Sequence, residues 1–360
     1  MLSPQDTSVA MQALPHASEG NIGPCGIDLV RLAGWIRSTG LDASGLQVRV
    51  LAGGQSNPTF LLDMTGGMLV LRKQPPGELL PSAHAIDREY RVMNALAGSG
   101  VPVPRMQAYC EDATVIGTPF FLMEFVRGRN FVDPTLPDLG AAERQTIYAE
   151  MNRVLVALHD LDYHAAGLDT FGRPGNYFAR QIARWSRQYR SAKTERIEAM
   201  EALMAWLPSH IPEGDETCLV HGDLRMDNMI FHPTEPKILA VLDWELSTLG
   251  HPLADLSYYC MSWRVPPDLW RGVAGVDLTA LGIPQEHAFV EDYCRARGIE
   301  RIRHWDFYLA YNLFRMAAIL QGIAARAAGG NAAAEDASDM GAKVRPLADL
   351  GWRCARRDGA

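Results

Sequence analysis

Three polar residues, spaced along one stretch of the chain, could carry the transfer of a phosphoryl group. Asp223 is followed five positions later by Asn228, and Asp243 stands fifteen positions after Asn228 at the end of an apolar run. Transfer from a magnesium nucleotide needs a carboxylate that orients the attacking hydroxyl, and an amide and a second carboxylate that hold the metal. Amide and carboxylate oxygens suit Mg²⁺, which takes few protein ligands beside phosphate and water. We therefore predict Asp223 as catalytic base and Asn228 and Asp243 as magnesium ligands.

The residues around Asp223 follow the spacing of the kinase catalytic loop, H-R-D-x-x-x-x-N, with Gly222 in place of the arginine. Arg225 could reach the transferring phosphate and offset its developing charge, although a solvent-exposed arginine is the alternative interpretation. We expect His221 to be a buried hydrogen-bonding residue that shapes the loop. Asp255 is expected to bond backbone groups near the same loop. Asp223 alone could be a turn-capping residue, so the prediction depends on the combined spacing.

The N-terminal part offers residues that could bind a nucleotide. Gly54, Ser56 and Asn57 lie in a loop between two predicted strands, where small residues let backbone N–H groups approach phosphates. Alone, this loop would be an ordinary hairpin turn. Arg72 ends the third predicted strand, where the V-A-I-K motif would carry lysine, and its guanidinium offers a forked donor to phosphate. Glu89, on the following helix, is the expected ion-pair partner of Arg72.

Two further assignments follow from strand geometry. Side chains alternate between the faces of a strand, so Arg72 is expected to face the nucleotide and Lys73 to point away. The apolar strand that contains Glu124 and ends at Val126 could pair its backbone with adenine. A plain buried strand would have the same sequence pattern.

Secondary structure signals divide the chain into a strand-rich part and a helical part. In the first part, hydrophobic periods and turn residues predict helices at Asp28–Ser38 and His84–Leu96 and strands at Gln47–Leu51, Thr59–Met64, Met68–Arg72 and Pro119–Val126. Thr65-Gly66-Gly67 suits a tight hairpin turn. In the second part, long amphipathic segments, short strands and further helices are predicted at Glu143–His159, Tyr177–Leu207, Cys218–His221, Met229–Phe231, Ile238–Leu242, Pro252–Trp263, Gln285–Arg297 and His304–Ala327, with one more helix at the C-terminus.

The predicted fold class is therefore α+β, with a small antiparallel-sheet lobe at 28–126 and a larger, mainly helical lobe at 127–360. Residues 1–27 are expected to be a poorly ordered leader, because the first twenty are rich in Ser, Ala, Pro and Gln without the pattern of a signal peptide.

Composition excludes several classes of protein. The chain has 360 residues, 48% of them hydrophobic and 21% charged, which describes an ordinary globular protein of about two domains. A net charge of −8 argues against general nucleic-acid binding. No apolar run approaches the roughly 20 residues of a membrane-spanning helix. The six cysteines are scattered without a C-x-x-C pair, which argues against a zinc site and fits a reducing cytoplasm.

Together these motifs resemble the aminoglycoside phosphotransferase-like family, from about Asp28 to Trp352. The resemblance implies a bilobal protein-kinase-like fold, ATP and Mg²⁺ as cofactors, Asp223 as base, and Asn228 and Asp243 as metal ligands. A narrower resemblance is to the kinase-like domain that is fused to, or encoded beside, acyl-CoA dehydrogenases, a subgroup implicated in phosphorylating 4-hydroxyacyl-CoA. The segments that carry it are Gly54–Thr59, Val70–Gly77, Arg88–Tyr90, Arg180–Trp185 and Leu242–Thr248.

One helix bears on the choice of acceptor. Arg180, Arg184 and Arg187 follow i, i+4 and i+7 spacing, which places three cations on one face. A CoA ester carries several negative charges and would prefer such a stripe, whereas polycationic aminoglycosides would prefer an acidic cleft. A solvated helix face, partly balanced by Glu195 and Glu198, is the alternative. The leading hypothesis is thus an ATP-dependent kinase of a hydroxyacyl-CoA. A kinase for another small alcohol or an aminoglycoside, and a nucleotide-binding pseudokinase partner of an acyl-CoA dehydrogenase, remain open.

Overall fold

The computed structural model describes residues 22–51, 57–77, 85–328 and 337–358, and these divide into two compact units. The first unit takes the described residues up to Asn130, with 166–168 and 227–247; the second takes 131–165, 169–226 and the residues from 248 onward. The predicted catalytic motif is therefore divided, because Asp223 belongs to the second unit and Asn228 to the first. The lobe boundary near residue 127 stays a prediction.

The first unit is built on a five-stranded antiparallel sheet with the strand order β1-β2-β3-β5-β4. Its strands are β1 (Gln47–Val50), β2 (Thr59–Met64), β3 (Gly67–Lys73), β4 (Met106–Cys110) and β5 (Phe120–Glu124). The β2–β3 turn consists of Thr65 and Gly66, and Gly67, predicted in the turn, pairs with Met64 as the first residue of β3. A φ of 127° at Gly67 explains why glycine occupies that position.

Two helices belong to this unit, α1 (Leu29–Ser38) and α2 (Ile86–Ala95). The Asp28 side chain caps α1 by accepting hydrogen bonds from the backbone N–H groups of Val30 and Arg31, each at 3.0 Å. The buried Leu32 and Ile36 of α1 pack into one apolar cluster with side chains of β1, β2, β3 and β5. This core supports the sheet that carries Arg72.

A separate hairpin of the first unit carries the predicted metal ligands. Its strands are β7 (Met229–Phe231) and β8 (Ile238–Val241); the strand β6 (Cys218–Val220) precedes them in the chain and belongs to the second unit. Phe231 exchanges two backbone hydrogen bonds of 2.8 Å with Arg129. The Asn130 amide also donates to the carbonyl oxygens of Asp227 (2.8 Å) and Met229 (3.0 Å). The hairpin is thereby fixed to the segment that follows β5.

The second unit is mainly helical. Its elements are α3 (Ala141–His159), α4 (Tyr177–Ala192), α5 (Glu198–Trp206), β6 (Cys218–Val220), β9 (Thr248–Gly250), α6 (Pro252–Cys260), α7 (Leu278–Leu281), α8 (Glu286–Arg297), α9 (Trp305–Ala328) and α10 (Ala337–Arg357). The short strands β6 and β9 pair antiparallel, so the segment that leads into the Asp223 loop lies beside the segment Thr248–Gly250. Every residue of α6 is buried. Within the described ranges, each helix is too short or too polar to traverse a lipid bilayer.

The structure confirms the α+β class and corrects some elements. The predicted segment Tyr177–Leu207 is two helices, because Lys193 adopts extended backbone (φ −64°, ψ 131°) and ends α4. Three elements, β4, β9 and α7, were not predicted. The start of the helix predicted from His84 lies outside the described residues, as do Gly54, Ser56 and most of the predicted leader.

Candidate active site

An ion cluster in the first unit joins the buried, predicted nucleotide-binding arginine to a predicted metal ligand that is partly exposed. Arg72 Nε lies 2.9 Å from Glu89 Oε2, and Arg72 Nη2 lies 3.0 Å from Asp243 Oδ1. Arg72 and Glu89 are 9% and 1% exposed. Burial opposes the charge of Arg72, but Glu89 and Asp243 outweigh it and raise the pKa of the guanidinium. The predicted Arg72–Glu89 ion pair is present, and Arg72 is a fixed cation beside Asp243.

The neighbouring lysine is directed elsewhere. Lys73 Nζ donates a hydrogen bond of 2.9 Å to the carbonyl oxygen of Ile116, and burial lowers the pKa of its ammonium group. Strand alternation therefore separates the two cations as predicted. Arg72 contacts carboxylates, and Lys73 donates to a backbone carbonyl oxygen on the other side of the sheet. Arginine suits position 72 because its branched guanidinium can contact Glu89 and Asp243 at the same time.

The two predicted metal ligands flank the same hairpin. Asn228 immediately precedes β7, and its carbonyl oxygen accepts a 2.8 Å hydrogen bond from the backbone N–H of Leu242. Asp243 follows β8 by two residues and adopts a left-handed backbone conformation (φ 64°, ψ 56°). Non-glycine residues rarely take this conformation outside turns and functional sites. Two oxygen donors at adjacent strand ends fit Mg²⁺, which completes its shell with phosphate and water oxygens.

The loop that contains Asp223 is held through its backbone. Asp255 in α6 accepts hydrogen bonds from the N–H groups of His221 (2.5 Å) and Gly222 (2.9 Å). The His221 ring is fully buried, and its Nδ1 accepts from the N–H of Asp223 at 3.1 Å. Gly222 has a φ of 85°, which explains glycine where a kinase loop has arginine. The predicted structural roles of His221 and Asp255 agree with these bonds.

Side chains also hold the Asp223 carboxylate. The hydroxyl of Tyr258 donates to Oδ1 at 2.5 Å, and Arg225 lies 3.1 Å from Oδ1 through Nε and 3.1 Å from Oδ2 through Nη2. Burial and then the charge of Asp223 raise the pKa of Tyr258, so its hydroxyl stays protonated and can only donate to the carboxylate. Arg225, predicted to contact phosphate, contacts the predicted base in this structure.

A buried arginine supports both the loop and the tyrosine. Arg315 in α9 donates through Nη2 to the carbonyl oxygen of Gly222 at 2.5 Å. Its guanidinium carbon lies 5.2 Å from the ring centroid of Tyr258 and 5.6 Å from that of Trp185 in α4. Both distances permit cation–π attraction. The roles of Tyr258 and Arg315 were not predictable from the sequence, because helical periodicity shows that a residue is buried and not which loop it contacts.

A polar chain continues behind Asp255. His159 Nε2 lies 3.7 Å from Asp255 Oδ2, and His159 Nδ1 lies 2.7 Å from the hydroxyl of Tyr293, which also accepts from Arg297 at 2.9 Å. Burial alone would raise the pKa of Asp255, but its contacts with His159, the nearby His221 ring and the hydrogen bond from the Gly222 N–H lower it below the usual value. The carboxylate that holds the loop is thus stabilised in its charged form.

The remaining predicted nucleotide contacts lie in the first unit. Asn57 is fully buried, and its side chain forms a hydrogen bond that stabilises the charged form of Glu89, so it supports the ion cluster. Glu124 ends β5, is exposed, and accepts from the backbone N–H of Arg105 at 3.3 Å. Val126 is half-buried just after β5. Gly54 and Ser56 lie outside the described residues.

The predicted basic stripe lies on α4 in the second unit. Arg184 and Arg187 are exposed, and Arg184 stacks over Trp185 at 5.3 Å. Arg180 is half-buried and donates to the carbonyl oxygen of Arg173 at 2.5 Å; burial, followed by the charge of Arg173, lowers its pKa. The acids expected to balance the stripe pair elsewhere. Glu195 contacts Arg345 and Glu198 contacts Arg196, each at 2.7 Å.

Comparison with known proteins gives relatives of two kinds. Acyl-CoA dehydrogenase family member 10 of Mus musculus is 49% identical over 308 residues, which cover 85% of this chain and 29% of that protein. Acyl-CoA dehydrogenase family member 11 of Rattus norvegicus is 44% identical over 317 residues, covering 87% of this chain and 40% of the relative. The chain therefore spans well under half the length of these curated relatives.

Solved structures give the fold. A crystal structure from Ralstonia eutropha, provisionally named an aminoglycoside phosphotransferase, is 50% identical with a TM-score of 0.85, covering 92% of this chain and 98% of its own. A thermostable aminoglycoside phosphotransferase, solved with ADP and hygromycin B, has a TM-score of 0.57 at 16% identity, covering 89% and 97%. These similarities confirm the predicted kinase-like fold. The profile of the family described as "Phosphotransferase enzyme family" matches residues 47–311, and the chain belongs to that family.

Proposed function

We propose that this protein transfers the γ-phosphoryl group of ATP, with Mg²⁺, to the hydroxyl of a small molecule, and that the acceptor is a hydroxyacyl-CoA. The observation that carries the proposal is the cluster of the buried Arg72 and Glu89 with the partly exposed Asp243. A fixed cation beside a carboxylate suits the binding of a magnesium-chelated polyphosphate.

In this proposal, residues of the first unit bind the nucleotide. Arg72 binds the α- and β-phosphates, and Glu89 keeps its guanidinium oriented. Asn228 and Asp243 hold the metal ion, which when bound offsets the charge of the phosphate oxygens. Val126, just after β5, offers backbone groups to the adenine beside Glu124, the last residue of that strand. The use of ATP is supported by structures of the same fold that contain ADP or AMP-PNP.

Asp223 orients the acceptor. As the acceptor oxygen forms its bond to the γ-phosphorus, the bond to the ADP oxygen breaks, and the hydroxyl proton passes to the Asp223 carboxylate. Positioning and charge contribute more to such reactions than strong basicity does. Arg225 supplies positive charge at the same carboxylate and, once released, to the phosphoryl group.

The acceptor class rests on two observations. The relatives that share 44–49% identity are named for acyl-CoA dehydrogenases, which suggests an acyl-CoA as the shared metabolite. The exposed Arg184 and Arg187 on α4 could attract the phosphates of CoA. An amino sugar is the second candidate, favoured by the provisional name of the Ralstonia eutropha relative.

The test measures magnesium-dependent ADP release with a hydroxyacyl-CoA, with an aminoglycoside and without acceptor. We expect stimulation by the hydroxyacyl-CoA, and a fall of about 10²–10⁴-fold in kcat for Asp223→Asn with ADP affinity retained. Asp268→Asn, at an exposed position of the same unit, is the matched control and should match the unaltered protein. Near-normal turnover by Asp223→Asn would overturn the assignment of the base. Nucleotide binding without stimulation by any acceptor would favour a pseudokinase.

A further inference from the structure

One helix holds both the backbone of the loop and the carboxylate that it carries. Asp255 and Tyr258 are three residues apart in α6 and therefore lie on the same face of the helix. Asp255 binds the N–H groups of His221 and Gly222, and Tyr258 binds Oδ1 of Asp223. One helix, α6, thus fixes where the Asp223 carboxylate lies relative to the backbone of its loop.

Helix α6 is well placed for this purpose because it is anchored along its length. All nine of its residues are buried. Its buried Ser257 is fixed from α9, since the Asn312 amide donates to the Ser257 hydroxyl at 2.7 Å and to the Ala254 carbonyl oxygen at 3.0 Å. Tyr258 itself is 5% exposed. A tyrosine in such surroundings has few alternative rotamers, so its hydroxyl is a fixed point.

Arg225 and Tyr258, which both bind Asp223, differ in character. Arg225 is part of the loop itself, and its side chain is 25% exposed, so its contact can exchange when substrate arrives. Tyr258 belongs to another element, and Arg315 restrains its ring from one side while it binds the Gly222 carbonyl oxygen. The tyrosine contact can persist through the reaction, whereas the arginine contact can be released.

We propose that Tyr258 is a positioning residue that fixes the orientation of the Asp223 carboxylate for the acceptor hydroxyl. The proposal rests on the proposed function of Asp223. By holding Oδ1, the tyrosine directs Oδ2 toward the site where the acceptor joins or replaces Arg225. Misplacement of a reacting group by about 1 Å can cost about 10²-fold in rate, so the hydroxyl should affect turnover more than binding.

The experiment compares Tyr258→Phe with Tyr259→Phe. The two tyrosines are adjacent in α6 and both buried, but the Tyr259 hydroxyl has no hydrogen-bond partner among the residues that the structure describes. We expect Tyr258→Phe to lower kcat about 10- to 100-fold while the KM for ATP stays within about twofold. Tyr259→Phe should keep kcat within about twofold. Expressing kcat per ADP-binding site separates slow molecules from unfolded ones.

A double-mutant cycle with Asp223→Asn distinguishes the possible failures. If Tyr258 acts through Asp223, then adding Tyr258→Phe to Asp223→Asn should change the residual rate less than about twofold. Equal losses for Tyr258→Phe and Tyr259→Phe, or full additivity in the cycle, would overturn the positioning role. Normal turnover by Asp223→Asn would instead overturn the proposed base, whatever the tyrosine does.

Discussion

Two aspartates of the second unit, Asp255 and Asp223, are bound by different kinds of group. The difference distinguishes a carboxylate that stabilises the fold from one that is available for chemistry. Asp255 is 1% exposed and accepts from two backbone N–H groups, so its carboxylate is a fixed part of the fold. The side chain of Asp223 is 18% exposed, and its carboxylate contacts Arg225 and Tyr258 side chains. The Arg225 contact can exchange with a substrate and the Tyr258 contact can persist, while the backbone contacts of Asp255 hold the loop in place.

Asp255→Asn should destabilise the protein at neutral pH. The amide offers one oxygen acceptor, so one of the two buried N–H groups would face an NH₂ group and lose its partner, at a cost of about 1–3 kcal/mol. The folded pKa of Asp255 is lowered. Its contribution to stability is therefore fully present above the unfolded pKa of about 3.9 and is lost as the pH falls through the folded pKa.

Urea unfolding from pH 7 to pH 3 measures this effect. The gap in unfolding free energy between the unaltered protein and Asp255→Asn should stay constant down to about pH 5 and shrink below about pH 4. Asp268→Asn, at an exposed position, should show no comparable gap at any pH. A gap for Asp255→Asn that widens toward pH 3 would contradict the sign of the pKa shift.

Single residues were predictable from sequence where spacing carried the information. The kinase-like spacing selected Asp223, which stays a prediction as the base. Strand alternation selected Arg72 over Lys73, and the ion pairs of Arg72 agree with that choice. Tyr258 was not predictable as a partner of Asp223. The two residues are 35 positions apart, and only the packing of α6 against the loop brings them within 2.5 Å.

At the scale of elements, the β7–β8 hairpin depends on a close backbone approach. A Cβ atom at Gly128 would lie 2.2 Å from the carbonyl oxygen of Phe231 and 2.5 Å from Cγ2 of Ile230. The first contact is with backbone, which cannot rotate away. Phe231 also exchanges two hydrogen bonds with Arg129 there, so any shift must move β7.

Gly128→Ala should therefore destabilise the protein by about 1–3 kcal/mol and weaken the binding of magnesium-ADP. The reason is that a displaced β7 moves Asn228 relative to Asp243. Thermal unfolding and titration with Mg²⁺ and ADP measure the two effects. Gly34→Ala is the control, because no heavy atom lies within 4 Å of its added Cβ in the exposed face of α1; it should be neutral or stabilising by up to about 1 kcal/mol. Equal effects of the two substitutions would contradict the role of the close approach.

Sequence patterns predicted an element correctly where neighbouring residues in the chain determine it, and missed an element where distant residues determine it. The strands β2 and β7 begin and end as predicted, since turn residues bound them on both sides. The strand β9 was missed because its three residues have no periodicity and are ordered by pairing with β6. The break after α4 was missed because Ser191 to Glu195 are compatible with a helix, and tertiary packing overrides so weak a preference.

The charge of the whole molecule bears on the choice of acceptor. With a net charge of −8, the protein as a whole repels anionic ligands, so a CoA ester needs a locally basic surface. The exposed Arg184 and Arg187 provide one on α4, and Glu195 and Glu198 do not neutralise it, because they pair with Arg345 and Arg196.

Replacing Arg184 and Arg187 together by Gln should raise the KM for a hydroxyacyl-CoA about two- to 30-fold at low salt and leave the KM for ATP unchanged. The expected size follows from about 0.2–1 kcal/mol for each exposed charge contact. The effect should fade as added salt screens these charges.

The matched control replaces the exposed Arg353 and Arg356 of α10 by Gln, which lowers the net charge from −8 to the same −10. Equal effects of the two pairs would show that net charge matters and the stripe does not, and an unchanged KM in both would remove the argument for an anionic acceptor on α4.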